Sequence, residues 1–200
     1  MRHLVLAFAV LLAVVETSFS DSPAPERPLV FTSVHSGDVF FTMVPGQHYK
    51  DGVVTKPAFG VAYRMDKDGK FTELYRTTDW YSFEVHVSKN GRHLVQMGPW
   101  NGGSTPETNH LAIAFYRDGK LLKSYSTAEL IRDPQQVDTT VSHYDWRAPS
   151  RRAKLTEGQV LQLQPKLSYD DKFTLHTIDG WTYVFDATTG AIVSTNKTKF

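Results

Sequence analysis

The sequence predicts an all-β fold in which mostly antiparallel hairpins form a propeller-like partial stack of sheets or a sandwich. Two observations lead to this prediction. Asp-Gly or Asn-Gly pairs at positions 68–69, 90–91, 118–119 and 179–180 each lie between short runs of β-forming residues. Such pairs supply the two positive φ angles of a type I′ turn, whose twist suits antiparallel neighbours. The second observation is that a single segment carries clear helix signals.

That segment predicts one short helix near residues 127–132. Ser126 and Glu129 have the spacing of a capping box, in which each side chain accepts a hydrogen bond from the other residue's backbone N–H. Asp133 and Pro134 then end the helix, because the residue before a proline avoids the helical region. The result is about two turns, which is enough to cross one end of a sheet.

The turns also predict how the strands pair. A two-residue loop at Asn90-Gly91 places Val87 opposite Leu94 and His86 opposite Val95. The spacing between successive turns is unequal along the chain. Because a closed propeller needs at least four blades of about 40 residues each, a partial stack or a sandwich is favoured over a closed ring.

A second pairing follows from the Asp68-Gly69 turn. A two-residue loop there places Arg64 opposite Glu73. Opposite charges facing each other across two strands form a weak brace, worth about 1 kcal/mol or less at the surface.

The N-terminus has the order of a secretory signal peptide. A basic start at residues 1–3 precedes an apolar run of 12 residues, 4–15, and small residues precede a cut after Ser20. A helix of that length rises about 18 Å, which is short of the roughly 30 Å hydrocarbon core of a membrane. We therefore expect a signal peptide at 1–20, a proline-rich leader at 21–28 and a single all-β domain at 29–200. The expected location is secreted or periplasmic, with no stable membrane span after cleavage.

The composition excludes several classes of function. Lys and Arg number 22 against 21 Asp and Glu, so the net charge is +1. This balance gives no strong field to attract nucleic acid, and no nucleic-acid partner is expected. There is no cysteine, which excludes disulfides, thiol catalysis and cysteine-ligated metals. Without any metal-ligand or phosphate-binding motif, we also expect no metal and no cofactor.

Residues from about 80 to 190 resemble a known group of sequences. The hairpin at 87–95 is similar to a type common in propeller-like exported proteins, and a tryptophan-bearing loop follows it at Trp100. Together with the strands and helix up to residue 147, this order resembles a group of uncharacterised exported bacterial proteins with propeller-like β-hairpins. The hairpin at 181–190 is similar to that of quinoprotein-type propeller blades. These resemblances imply a fold and an exported location, but no activity.

One pair of residues is a candidate for catalysis. Glu84 and His86 are two positions apart, so they project from the same face of a strand. If the protein is an enzyme, this pair would serve a secreted or periplasmic hydrolase acting on polysaccharide or peptide. Paired carboxylates meeting in space are equally open, although no spacing favours a particular pair.

The segment 142–147 contains the residue types of a hydrolytic triad in an unsuitable arrangement. Ser142 and His143 are adjacent on a predicted strand, so they point to opposite faces and cannot act as nucleophile and base. The same alternation puts Tyr144 and Trp146 on a packing face. The other face, which carries His143, Asp145 and Arg147, is predicted to be a polar surface. The basic residues beyond it, up to Lys154, are expected to be solvated.

The best candidate for binding is the irregular loop at residues 98–109, rich in glycine and proline. It carries Trp100 and Asn101, and His110 follows it directly. An exposed aromatic ring there can stack on a sugar ring, a peptide side chain or a protein surface. We therefore expect an exported protein that binds an envelope or extracellular ligand or protein through Trp100, Asn101 and His110. A purely structural role in a larger envelope assembly is a third possibility.

Overall fold

The computed structural model describes residues 24–48 and 54–198 of the chain. The expected signal peptide lies outside these residues. In the described part, antiparallel strands are the main regular structure, and three of the sheets have four strands each. The first sheet contains β1 (Leu29–Thr32) and β2 (Val39–Val44), then β5 (Phe59–Met65) and β6 (Phe71–Thr78), with a small hairpin of β3 (Gln47–His48) and β4 (Val54–Lys56) inserted between them.

The second and third sheets are also simple meanders. The second contains β7 (Val85–Val87), β8 (His93–Met97), β9 (Leu111–Arg117) and β10 (Lys120–Ser126). Between it and the third sheet lies a two-stranded ladder of β11 (Asp138–Thr139) and β12 (Tyr144–Asp145). The third sheet contains β13 (Lys166–Leu167), β14 (Lys172–His176), β15 (Trp181–Asp186) and β16 (Ala191–Lys197).

The second sheet lies between the other two, and its central strands, β8 and β9, are buried on both faces. All five residues of β8 are buried, as expected for a strand covered on both sides. Leu94 packs with Phe41 and Met43 of the first sheet, whereas Val95 packs with Phe173 of the third sheet. The first strands of the three sheets also lie close to one another, with β7 contacting both β1 and β13. The prediction of an all-β, propeller-like partial stack is therefore confirmed.

The pairing expected around Asn90-Gly91 is also confirmed. Val87 lies opposite Leu94, and His86 opposite Val95. The turn itself differs from the type I′ prediction, because only Gly91 has a positive φ, of 74°. The same holds at Gly69 and Gly180. Asp118 and Gly119, with φ of 50° and 78°, form the one expected pair in which both residues have positive φ.

The predicted partner of Arg64 is wrong. A register shift between β5 and β6 places Arg64 opposite Thr72. Its guanidinium lies 3.7 Å from the carboxylate of Asp38, which directly precedes β2. Glu73 instead pairs with Arg76 along its own strand at 2.6 Å. The cause is a loop longer than two residues, which removes the register that a tight turn would impose.

The helices are short and, in the order of the chain, lie between the second and third sheets. α1 (Thr127–Leu130) has the expected capping box of Ser126 and Glu129, but ends before 132 because Ile131 is extended. A second helix, α2 (Glu157–Gln162), was not predicted, although Thr156 and Gln159 form the same kind of box. A single 3₁₀ turn follows α1 at Pro134–Gln136. Within residues 24–48 and 54–198, no helix is long and apolar enough to cross a membrane.

Candidate functional site

The loop that carries Trp100 joins β8 to β9 and is anchored at its start by Gly98. The Gly98 N–H donates to the carbonyl oxygen of Ala112 at 2.8 Å. A Cβ at this position would lie 1.8 Å from the backbone oxygen of Leu111, so only glycine fits without a backbone shift. Here and below, the Trp100 loop means residues 98–110.

Further along, the Trp100 loop is tied to two neighbouring segments. The Gly103 N–H donates to the carbonyl of Ser142 at 3.2 Å, and Gly102 forms a β-bridge with His143. Near its end, the Glu107 N–H donates to the hydroxyl of Thr127 at 3.1 Å. The loop is therefore held at both ends and in the middle, which makes it a defined surface for a ligand.

Two cavities border the Trp100 loop. The first, of about 500 Å³, lies between the loop and residues 143–149 and includes Glu84. The second, of about 460 Å³, lies on the side of residues 80–81 and includes His110. Trp100 and Asn101 line both cavities. They therefore form the wall between the two cavities.

Trp100 is partly supported and partly exposed. Its ring lies 3.7 Å from the ring of His143, centroid to centroid, with the planes tilted by 42°. His143 is buried and lies 2.6 Å from the hydroxyl of Thr140 through Nδ1. Trp100 nevertheless keeps 40% of its surface exposed. A tryptophan held by a buried neighbour while exposed on its other side is available for contact at little conformational cost.

Asn101 has an unsatisfied polar group. The residue is 5% exposed, and its Nδ2 has no hydrogen-bond partner among the residues that the structure describes. Most buried polar groups in proteins are paired, and leaving one unpaired costs about 1–3 kcal/mol. An unpaired amide beside an exposed tryptophan is more typical of a functional loop than of a packing element.

His110 is oriented by a short hydrogen-bonded chain. Its Nδ1 lies 2.9 Å from the hydroxyl of Tyr144, which lies 2.7 Å from the hydroxyl of Thr127. Burial raises the pKa of Tyr144, so this hydroxyl keeps its proton. His110 lines the second cavity together with Trp100 and Asn101. The structure therefore brings the three residues of the predicted binding site to one cavity.

In the candidate catalytic pair, the carboxylate of Glu84 contacts both His86 and Arg147. One carboxylate oxygen of Glu84 lies 3.0 Å from Nε2 of His86, and the other lies 2.6 Å from Arg147. Burial raises the pKa of Glu84, but the bonds to His86 and Arg147 outweigh it and lower the pKa to about 2. Glu84 lines the first cavity, whereas His86 packs with its ring edge-on against Phe173, 4.9 Å away. A carboxyl group this acidic is a permanent anion and an ineffective general acid or base near neutral pH.

Of the polar surface predicted for His143, Asp145 and Arg147, only Asp145 and Arg147 are partly exposed, because His143 is buried against Trp100; the segment lines the first cavity. His143, Asp145 and Arg147 all contribute to its wall. Tyr144 and Trp146, predicted to pack, are 2% and 7% exposed and belong to the core between the second and third sheets. Both also contribute to the wall of the first cavity, so alternation along this segment does not separate core residues from cavity residues.

The solvated basic surface expected beyond this segment is confirmed for Arg151 and Arg152, which are exposed, whereas Arg147 is half-buried; all three also form ion pairs. Arg147 pairs with Glu84, Arg151 lies 2.6 Å from Asp145, and Arg152 lies 3.0 Å from Asp138. Asp145 is close to Arg151 in sequence, whereas Glu84 and Asp138 come from other segments, so local charge patterning gave no sign of those two pairs.

The second cavity also contains Trp80, Tyr81 and Gln96, which were not among the residues predicted for the site. Trp80 stacks between Phe41 and Tyr116, with ring centroids at 5.9 and 5.3 Å. The same ring contributes to the cavity wall, as do Tyr81 and Gln96. The adjacent Trp-Tyr pair was the available signal, but its place beside the Trp100 loop depends on how the sheets stack.

Among residues 24–48 and 54–198, no group of three or more His, Asp or Glu side chains is arranged to hold a metal ion. The expectation that the protein uses no metal and no cofactor stays a prediction.

Comparisons with known proteins identify no family for the chain. No protein-family model matches the chain, and a search of curated proteins finds no match. Among solved structures, the chain is similar to one described as "Crystal structure of HIRA(644-1017)", with a TM-score of 0.36 and 14% sequence identity. The match covers 85% of this chain and 53% of the other, so the chain spans about half the length of that structure.

Proposed function

We propose that the protein is a non-catalytic binding module, exported from the cell, whose ligand contacts the Trp100 loop. The observation that carries this proposal is the shared wall of the two cavities. Trp100, 40% exposed, and Asn101, with its unpaired amide, line both of them. A concave apolar surface with a few oriented polar groups is the usual form of a ligand site.

The energetics favour a contact role for Trp100. Large aromatic side chains contribute much of the energy at binding sites, because they bury a wide rigid surface when a partner arrives. A partner that hydrogen-bonds Asn101 would also remove the cost of its unpaired donor. Both gains come from the same loop, which is already held in place by its backbone hydrogen bonds.

Binding is favoured over hydrolysis by the state of the carboxylates. Glu84 is paired with Arg147 and His86, and Asp145 with Arg151. A glycosidase of the common two-carboxylate type needs an acid carboxyl group whose pKa lies near the working pH. With Glu84 held near pKa 2, the first cavity lacks its best candidate for this task.

The location is part of the proposal. The basic start, the apolar run and the small residues before Asp21 favour export, and the likeness of residues 80–190 to exported proteins agrees with this. Cell fractionation and N-terminal sequencing test it. We expect the protein outside the cytoplasm with Asp21 as its first residue, and a cytoplasmic protein that starts at Met1 would contradict export.

The binding role is tested by screening the purified protein against an array of envelope glycans and peptides. Trp100→Ala is compared with wild type and with Phe71→Ala, which removes a more exposed aromatic ring (56% against 40% for Trp100) on the first sheet. We expect a ligand that binds wild type and Phe71→Ala but not Trp100→Ala, with similar melting temperatures. Equal binding by all three proteins would exclude the Trp100 loop as the site.

A further inference from the structure

We infer that the second cavity takes an uncharged oligosaccharide. This inference rests on the proposed function and names the class of ligand for that site. The lining residues of the two cavities differ in charge. Glu84, Asp145 and Arg147 contribute to the first cavity, whereas no Lys, Arg, Asp or Glu is among the described residues that line the second.

The lining of the second cavity instead combines aromatic rings with amides. The residues that carry these groups, together with one imidazole, are Trp80, Tyr81, Trp100, Gln96, Asn101, Asn109 and His110. A sugar ring presents a flat apolar face of C–H groups and a rim of hydroxyls. Aromatic rings match the apolar face, and amides match the hydroxyls because they both donate and accept hydrogen bonds.

Charged ligands fit this surface less well. An acidic oligosaccharide or a phosphorylated ligand is normally held by Arg or Lys, which form charge-assisted hydrogen bonds to it. A peptide normally gains affinity by pairing its backbone with a strand edge or by placing side chains in separate pockets. Strand β8 borders the second cavity and is already paired with β7 and β9. Its edge is therefore not available to a peptide backbone.

The wall is also preorganised for a rigid ligand. Trp80 is fixed between Phe41 and Tyr116, and the hydroxyl of Tyr116 donates to Oε1 of Gln96 at 2.8 Å. The hydroxyl of Tyr81 donates to the carbonyl of Arg27 at 2.7 Å. Groups that are held before the ligand arrives lose little entropy on binding, which matters for the weak contacts that sugars make.

The rim of the cavity is open. Trp100 and Asn109 are exposed, whereas Gln96 and Asn101 are buried beneath them. An open groove with exposed aromatic residues at its edge suits several units of a chain better than a single enclosed sugar. We therefore expect affinity to rise with the number of sugar units.

The test is calorimetric titration of the purified protein with three kinds of probe. The probes are neutral hexasaccharides (cellohexaose and hexa-N-acetylchitohexaose), acidic hexagalacturonate, and short unmodified peptides. Each is titrated into wild type, Trp100→Ala and Phe71→Ala, at about 0.05 M and about 0.5 M salt. We expect a neutral hexasaccharide to bind wild type and Phe71→Ala with a Kd that changes less than about twofold with salt. Trp100→Ala should weaken this binding at least tenfold, which equals about 1.4 kcal/mol.

The possible failures point to different conclusions. Trp100-dependent binding of hexagalacturonate or a peptide, without any neutral hexasaccharide, overturns the ligand class but leaves the binding role intact. Neutral hexasaccharide binding that Trp100→Ala leaves unchanged overturns the placement in the second cavity and also excludes the Trp100 loop as the binding site. Absence of Trp100-dependent binding across all probes and the glycan and peptide array overturns the proposed function as well.

Discussion

The indole of Trp100 rests on the imidazole of His143, with ring centroids 3.7 Å apart. This contact joins a loop of the second sheet to the segment between the second and third sheets. His143 also pairs with Gly102 through a β-bridge, so the backbone and the rings hold the same junction. The two cavities of the site exist because this junction divides the surface beside it.

Removing the glycine at the start of the Trp100 loop should destabilise the protein. In Gly98→Ala the new methyl group would lie 1.8 Å from the oxygen of Leu111, so the backbone must move. We expect the free energy of unfolding to fall by about 3 kcal/mol, as overpacked sites show. Chemical denaturation measures this loss.

The matched control for that variant is Gly158→Ala in α2. No atom lies within 4 Å of a Cβ at that position, and the residue is exposed in a helix. Alanine is the better helix former, so we expect no loss and a gain of up to about 1 kcal/mol. An equal loss in the two variants would show that close approach at residue 98 is not the cause.

Neutralising Glu84 should cost stability without affecting ligand binding in the second cavity. Glu84→Gln keeps the shape but removes the charge that pairs with Arg147 and His86. Because the carboxylate is one third exposed, solvent screening limits the expected loss to about 1–2 kcal/mol at neutral pH. Denaturation and ligand titration together check this. A variant that folds as stably as wild type would contradict the role of the ion pair.

Acid should destabilise the protein in a defined range. The pKa of Glu84 and that of Asp186 are each lowered to about 2 in the folded protein. The ordinary values are about 4 in the unfolded chain. These groups therefore stabilise the fold fully above about pH 4.5, and their contribution is lost as the pH falls toward 2. The free energy of unfolding, measured from pH 5 to pH 2, should fall as the pH falls, and it should fall less steeply in Glu84→Gln than in wild type. The same dependence on pH in both proteins would contradict the assignment to Glu84.

His93 should produce a separate effect at higher pH. It lies on β8, is 7% exposed, and neither ring nitrogen has a hydrogen bond within the described residues, although Asp171 lies 3.6 Å away. Burial lowers its pKa, Asp171 opposes that shift, and Arg117 and Arg92 add to it. Because the folded protein binds this proton less readily than the unfolded chain, stability should fall as the pH drops below about 6.5.

His93→Leu tests this account. Leucine fills a similar space without a polar group, so we expect stability at pH 7 to be unchanged or higher. Between about pH 6.5 and 5, the free energy of unfolding should depend less steeply on pH than in wild type. We assign the dependence that remains to His176, because burial lowers its pKa as well. A variant with the same slope as wild type would show that His93 does not titrate in this range.

Local patterns in the sequence predicted much of the fold. The Asn90-Gly91 hairpin register and the capping box at Ser126 depend on neighbours a few residues apart, and both are confirmed. The Arg64 pairing failed because a loop longer than two residues shifts the strands. The second helix was missed even though Thr156 and Gln159 carry the same capping signal as the first.

The site was predicted only in part, for a physical reason. Trp100, Asn101 and His110 are close in sequence on one loop, and they do meet at one cavity. Glu84 and Arg147 are far apart in sequence, and their ion pair depends on how the second sheet stacks against the following segment. Trp80 joins the cavity for the same reason. Such contacts across sheets leave no local pattern in the chain.

The most direct test of the central claim is titration of the strongest ligand from the array into wild type, Trp100→Ala and Phe71→Ala. We expect Trp100→Ala to bind this ligand at least about tenfold more weakly than wild type does. Phe71→Ala should bind like wild type, and all three proteins should melt at similar temperatures. Equal affinity of Trp100→Ala and wild type for that ligand would contradict a binding site on the Trp100 loop.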